Sequence, residues 1–257
     1  EGDELVNVRR VKAGEKVVWH GERSGETVDH KTTVAPRDMV VASVNPKPND
    51  GKKCIALTFD DGPSTYTQQI LDILKDKGAK ATFYNLGSSS AAYPALTKAV
   101  LDSGNELASH TNRHQYLPKL DRDALRTEIT SAFDTLEKNG GAQLQMIRAP
   151  YGAFTATEWA RSGDLISCNV LWNIDTLDWK RPGADAIVDN VLSHAYNGAI
   201  ALMHDGGGNR QQDVEALPGI IDGLTQDGYK IVPLGKLIKT DESLSKKLTS
   251  LTRVKMP

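Results

Sequence analysis

Several things are scarce in this chain of 257 residues, and each scarcity excludes something. There are two cysteines, Cys54 and Cys168. Two cannot build a disulfide framework, and their spacing is not that of a metal-binding pair, so they are expected as buried, unbridged thiols. No run approaches the roughly eighteen apolar residues that a membrane span needs. Basic charge is not in excess either: 31 Lys and Arg stand against 33 Asp and Glu, a net charge of −2, with no basic cluster. Nucleic acid is therefore not an expected partner. Repeats and low-complexity tracts are also missing. The chain opens on Glu1 without an initiator Met or a signal peptide, which reads as a mature or a trimmed form with any targeting segment out of view. What remains is ordinary globular composition, 39% hydrophobic and 25% charged, at a length that suits one large domain with a small companion.

The first fifty residues differ from the rest. Short β-type runs (Val17–Trp19, Thr32–Val34, Met39–Ala42) are separated by Gly, Asp and Pro, and no helical period shows. "NPKPNDGKK", residues 45–53, reads as a linker. Residues 1–50 are thus expected as a small β-rich segment with its linker, 51–240 as the main domain and 241–257 as a polar tail. From Cys54 on, strand and helix patterns alternate. Helices are expected over Tyr66–Lys77, Pro94–Ser103, Asp121–Asn139, Thr155–Gly163, Ala184–His194 and Val214–Asp227. Strands are expected at Cys54–Phe59, "ATFYNLG", "NELASH", Gln145–Arg148, Cys168–Ile174, Ala199–Met203 and Lys230–Pro233. Repeated β-then-α units imply a parallel α/β sheet, open or rolled into a barrel. In a barrel, chemistry collects on the loops after the C-terminal strand ends.

The reactive residues fall at those ends. "CIALTFDDGPS" runs an apolar strand into Asp60 and Asp61, side by side, where like charges repel. Asp-Gly-Pro is good turn chemistry, and a turn is the plain reading. A cation beside the pair is the sharper one. "HTNRH" offers His110 and His114, a His-x-x-x-His pair that would share one face of a helical turn within reach of one ion. It is not the zinc-protease pattern, because Thr111 stands where that pattern needs Glu. One Asp of the pair would complete a two-His, one-Asp set, leaving positions for water and substrate. The other could act as a base. Arg148, in "RAPYG", could hold that base ionised. His204, in "IALMHD", could protonate a leaving group, with Asp178 fixing its tautomer.

"TFDDGP" (58–63), "HTNRH" (110–114), "RAPYG" (148–152), "DTLDW" (175–179) and "LMH" (202–204) together resemble the ordered motifs of the NodB-type polysaccharide deacetylases, carbohydrate esterase family four. The resemblance spans about Lys53 to Leu237. It implies an irregular (β/α) barrel and a metal-dependent N- or O-deacetylase acting on chitin, peptidoglycan or acetylated xylan. Carried onto these positions, it implies Asp60 as base, Asp61, His110 and His114 as metal ligands, and Arg148 as the group orienting the base. The backbone N–H of Tyr151 would face the oxyanion, His204 would be the acid tuned by Asp178, and Trp179 and Leu202 would hold the acetyl methyl. The first forty-five residues are faintly similar to the end of the G-five wall modules.

The expected protein is a secreted or wall-associated, monomeric deacetylase of N-acetylglucosamine-containing glycan, peptidoglycan ahead of chitin oligomers. Its expected cofactor is a divalent ion, zinc first, with cobalt or nickel as alternatives. An acetylxylan-type O-deacetylase, a non-catalytic glycan-binding wall protein and a metal amidase on small amides are the rivals.

Overall fold

A computed structural model describes residues 6–10, 15–20, 27–34, 40–49, 51–140 and 146–241, the first four segments up to Val44 as backbone alone. Met39, Gln145 and the expected polar tail after Asp241 lie outside the described residues. The chain begins with four strands, β1 (Val6–Arg10), β2 (Glu15–His20), β3 (Thr27–Val34) and β4 (Val40–Val44). The βα succession follows: β5 (Lys53–Asp60), α1 (Thr67–Asp76), β6 (Thr82–Asn85), α2 (Gly87–Ala92), α3 (Pro94–Asp102), β7 (Glu106–Ser109) and the long α4 (Arg122–Lys138). It continues through β8 (Met146–Ile147), α5 (Ala156–Ser162), β9 (Cys168–Val170), β10 (Ile174–Asp175), α6 (Ala184–His194), β11 (Ile200–His204), α7 (Gln211–Gln226), β12 (Tyr229–Ile231) and α8 (Leu234–Lys239).

The helix ends follow local chemistry. Asp121 caps α4 by accepting the Ala124 N–H at 2.8 Å. Thr155 and Glu158 form a capping box at the start of α5. One face of α4 carries Leu125, Ile129, Ala132 and Leu136, all buried.

The sheet order is β10-β11-β5-β6-β7-β8-β9-β1-β4, with β12 also paired to β5. From β10 to β9 all neighbours are parallel, whereas β1 is antiparallel to both β9 and β4. The strands β9 and β10 lie at opposite ends of the parallel run, yet three residues, Leu171 to Asn173, join them. The four Cα steps from Val170 to Ile174 reach about 14 Å at most, so the parallel sheet must curl until its two ends nearly meet. The result is an incomplete barrel, the fold that the sequence leads one to expect. Strand β5, flanked by β11, β6 and β12, is buried along its length from Cys54 onward. Its Ile55, Leu57 and Phe59 pack with Phe83, Ile70 and Leu74 on one side, while Cys54, Ala56, Tyr84 and Cys168 share a second cluster.

The expected single strand over Cys168–Ile174 is in fact two. No Gly or Pro interrupts it, but the carbonyls of Val170 and Leu171 turn to the Arg148 guanidinium, and Asn173 turns its side-chain oxygen to the Ile200 N–H. Both cysteines are buried and unbridged, and burial pushes the Cys168 thiol up to about 12.

Candidate active site

Asp60 and Asp61 part company at the end of β5. Asp60 keeps the strand direction and is buried; Asp61 adopts φ 71°, in the left-handed region, and swings away. The Asp60 carboxylate accepts a hydrogen bond from Arg148 Nη1 at 2.7 Å. Arg148 is fully buried and uses every edge of its guanidinium. It donates to Thr58 Oγ1 at 2.8 Å, to the Val170 carbonyl at 3.0 Å and to the Leu171 carbonyl at 3.1 Å. Its Cζ also lies 4.1 Å from the Tyr84 ring centre. Burial raises the Asp60 carboxyl above the usual carboxylate range, against the pull of Arg148 and His204.

His110 and His114 sit on the loop after β7. The expected helical turn is absent: Thr111 (φ 68°) and His114 (φ 57°) are both left-handed, and the pair is brought together by an irregular loop. The His110 and His114 ring centres are 5.0 Å apart. His110 Nδ1 is 2.8 Å from the Arg148 carbonyl, which can only accept, so this nitrogen carries the proton and Nε2 presents its lone pair. Burial lowers the His110 pKa to about 3, so the ring stays neutral. Asp61 Oδ1 lies 3.5 Å from His110 Nε2 and 3.4 Å from His114 Nε2. It is buried with no hydrogen-bond donor among the described residues. One oxygen and two imidazole nitrogens within 4.8 Å of one another, with that oxygen otherwise orphaned, fit a divalent ion.

On the other side of β5, His204 ends β11, where it is the register partner of Asp60. Its Nδ1 is 2.9 Å from both carboxylate oxygens of Asp178, which starts a short 3-10 turn after β10. Burial disfavours the imidazolium, but Asp178 together with the Asp60 and Asp61 charges more than offsets it and the His204 pKa is raised. Burial likewise works against the Asp178 charge, but His204, Asp213 and Arg210 together outweigh it and bring the carboxyl down to about 2.

A cavity of about 460 Å³ opens over these groups. Asp60, Asp61, His110, His114, Tyr151, Trp179, Leu202 and His204 line it, while Arg148 and Asp178 support it from behind. Leu202 is buried, whereas Tyr151 (66% exposed) and Trp179 (50%) stand at the rim. The Tyr151 ring meets His114 edge-on with centres 4.7 Å apart, and its backbone is left-handed at φ 60°.

Asp175 and Asp205 stand at strand ends, where the sequence places reactive residues, though without a role; Trp172, Arg210 and Glu128 escape the sequence reading. Asp175, Trp172 and Arg210 also line the cavity. Glu128 on α4 is buried and gathers the histidine loop, accepting from Thr111 Oγ1 at 3.1 Å, from the Arg113 N–H and from Gln115 Nε2 at 3.3 Å. The available signal is an acid three residues after Leu125 on a helix face that is otherwise apolar. Asp205 is buried and accepts from Thr67 Oγ1 at 2.6 Å, tying the end of β11 to α1; burial pushes it up to about 7.

A curled parallel sheet with titratable groups gathered at its C-terminal rim defines a barrel-type fold with a candidate active site at its mouth. The chain belongs to the polysaccharide deacetylase family, whose model, described as "Polysaccharide deacetylase", matches residues 47–165. A peptidoglycan-N-acetylglucosamine deacetylase of Bacillus cereus is 37% identical over 195 residues, covering 75% of this chain and 91% of the relative. A chitooligosaccharide deacetylase of Bradyrhizobium is 34% identical over 200 residues, covering 73% and 91%. Among solved structures, a family 4 carbohydrate esterase from Streptomyces lividans in complex with acetate superposes with a TM-score of 0.66 at 32% identity, covering 70% of this chain and 91% of the other. Among the described residues, no helix is long and apolar enough to cross a membrane.

Proposed function

We propose that this enzyme is a metal-dependent deacetylase that removes acetyl groups from N-acetylglucosamine residues of a cell-wall polysaccharide, peptidoglycan before chitin oligomers. The observation that carries the reading is the pairing of Asp60 with His204 on adjacent strands at one cavity, each backed by its own buried partner. A pure glycan binder has no use for a base and an acid facing one cavity from adjacent strands. Relatives at 34–37% identity named as deacetylases of such glycans support the substrate class.

Asp61, His110 and His114 would hold the ion, and zinc, cobalt and nickel all suit these donors. When bound, it supplies Lewis acidity, polarising a carbonyl and acidifying water. Asp60, aimed by Arg148, takes the proton as a water oxygen adds to the acetamide carbon. The Tyr151 peptide N–H faces the oxygen that becomes negative. His204 Nε2–H then passes its proton to the nitrogen as the C–N bond breaks, giving acetate and a free amine. Leu202 and Trp179 receive the acetyl methyl. The catalytic unit is residues 51–240, working as a monomer outside the cell or at its wall.

Mass spectrometry of products from purified peptidoglycan and from chitopentaose, run side by side, tests the reading. Loss of an acetyl mass from glucosamine units of either supports it. Bound glycan with no acetate released, and equal binding by Asp60→Asn, would overturn it.

A further inference from the structure

The chain of groups behind His204 does not stop at Asp178. Asp213, in the first turn of α7, is 1% exposed, as is Asp178, and the two carboxyls lie within hydrogen-bonding reach of each other. Two ionised carboxylates buried in such contact would repel, and a hydrogen bond joins them only if one keeps its proton. Their surroundings decide which. Asp178 has both oxygens 2.9 Å from His204 Nδ1, and its Oδ1 also accepts the Trp179 N–H at 2.8 Å. That setting stabilises the charged form. Asp213 has weaker claims on a charge: it faces Asp178, His204 and Arg210, and its Oδ1 is buried with no hydrogen-bond partner among the described residues. In the sequence, Asp213 reads as an ordinary first-turn acid, ionised and favourable to the helix dipole. Burial against a second carboxylate argues for the opposite state.

We propose that Asp213 is a positioning residue for the reaction: held as a neutral acid, it donates its hydrogen to Asp178, so that Asp178 and Asp213 share a single negative charge aimed at the His204 imidazole. This rests on the reading of His204 as the proton donor. The directions of titration agree, since burial first and Asp178 second push Asp213 up to about 9. The arrangement has a use. A second ionised carboxylate behind Asp178 would hold the proton on His204 too firmly for it to be given away. A donor at that place instead draws charge from Asp178 and fixes its rotamer.

The test is the titration midpoint of His204, followed by NMR of its ring Cε1–H in the whole protein, for wild type, Asp213→Asn and Asp213→Ala. The Asn amide can donate as the acid does, so its midpoint is expected to match wild type. Asp213→Ala leaves the Asp178 charge concentrated on the imidazole, and the midpoint is expected to rise by about half a unit or more. A fall in Asp213→Asn would mean that a negative charge had been removed, and would overturn the proposal. So would an unchanged midpoint in Asp213→Ala. Should the Ala variant fail to fold, the infrared difference between wild type and Asp213→Asn at neutral pH decides: the carbonyl stretch of a protonated acid supports the proposal, and a carboxylate stretch overturns it. These readouts need no turnover. Absent acetate release with midpoints moving as expected strikes the reaction reading, whereas acetate release with unmoved midpoints strikes Asp213 alone.

Discussion

Asp60 and Asp61 are covalent neighbours with opposite surroundings, one on a buried guanidinium and the other orphaned beside two imidazoles. Removing the Asp60 charge while keeping its shape should therefore spare the ion and harm the chemistry. Asp60→Asn is expected to lose about 10²- to 10⁴-fold in kcat, with metal content unchanged by elemental analysis; lost metal would contradict the division of tasks. The pH dependence follows from signs. Asp60 is raised, so the acid limb of kcat/KM should lie above the ordinary carboxylate value. His204 is raised, so the alkaline limb should lie above the ordinary imidazole value of about 6.5. The same raised group adds stability that is complete below that ordinary value and is lost as pH rises through the folded-state pKa. Urea unfolding across this range should show the loss in wild type and a flatter profile in Asp178→Asn. At this scale the sequence was most legible: the groups that touch the cavity stand at strand ends, where unusual residues show. Glu128 and Asp213 were not, because each looks like a common helical acid until a contact far away in sequence gives it a partner.

At the scale of elements, alternating periodicity told the strands and helices well, since burial on β5 or along one face of α4 leaves an unmistakable pattern. It failed where backbone groups serve side chains. Strand pairing stops after Val170 because guanidinium hydrogen bonds take its carbonyl and the next, and no residue type announces that. The histidine loop is likewise irregular because Glu128, not a helical ladder, holds it. Glu128→Ala should accordingly weaken zinc binding by about tenfold or more in chelator competition, while circular dichroism stays native; unaltered affinity would deny α4 this role. In the core between β5 and β6, Phe59 and Phe83 stack with ring centres 5.1 Å apart. Phe83→Ala should cost about 3–5 kcal/mol in denaturant unfolding, well above a typical surface change.

For the whole molecule, curling is what brings the acid and the base to one mouth. Strands β11 and β5 are neighbours, second and third in the parallel run, and the short connection from β9 to β10 draws Trp172 into the same cavity. The alternation of elements foretold a parallel sheet but not how far it closes, because closure depends on that three-residue link. The antiparallel strand β1 continues the sheet past β9, so the first segment of the chain covers an edge that would otherwise be open. If an ion neutralises the cluster between these strands, it also binds the folded state alone. A chelator should abolish acetate release and lower Tm together, and added zinc should restore both. Full activity in the chelated protein would remove the ion from the reaction.

The loops after β5 and β11 press together without clearance. A Cβ on Gly62 would run into the Asp205 carboxylate, and one on Gly207, held at φ +69°, into the Asp61 side chain. Tyr151 and Trp179 at the mouth, and Tyr116 whose ring centre lies 5.9 Å from that of Tyr151, are 66%, 50% and 44% exposed and meet no such obstacle. Descent is thereby channelled. Lineages built on this scaffold can change which glycan they accept by exchanging rim aromatics, while the two glycines remain closed to every other residue. A saturation library would sort the chain into these two populations, one frozen by contact and one open to adaptation.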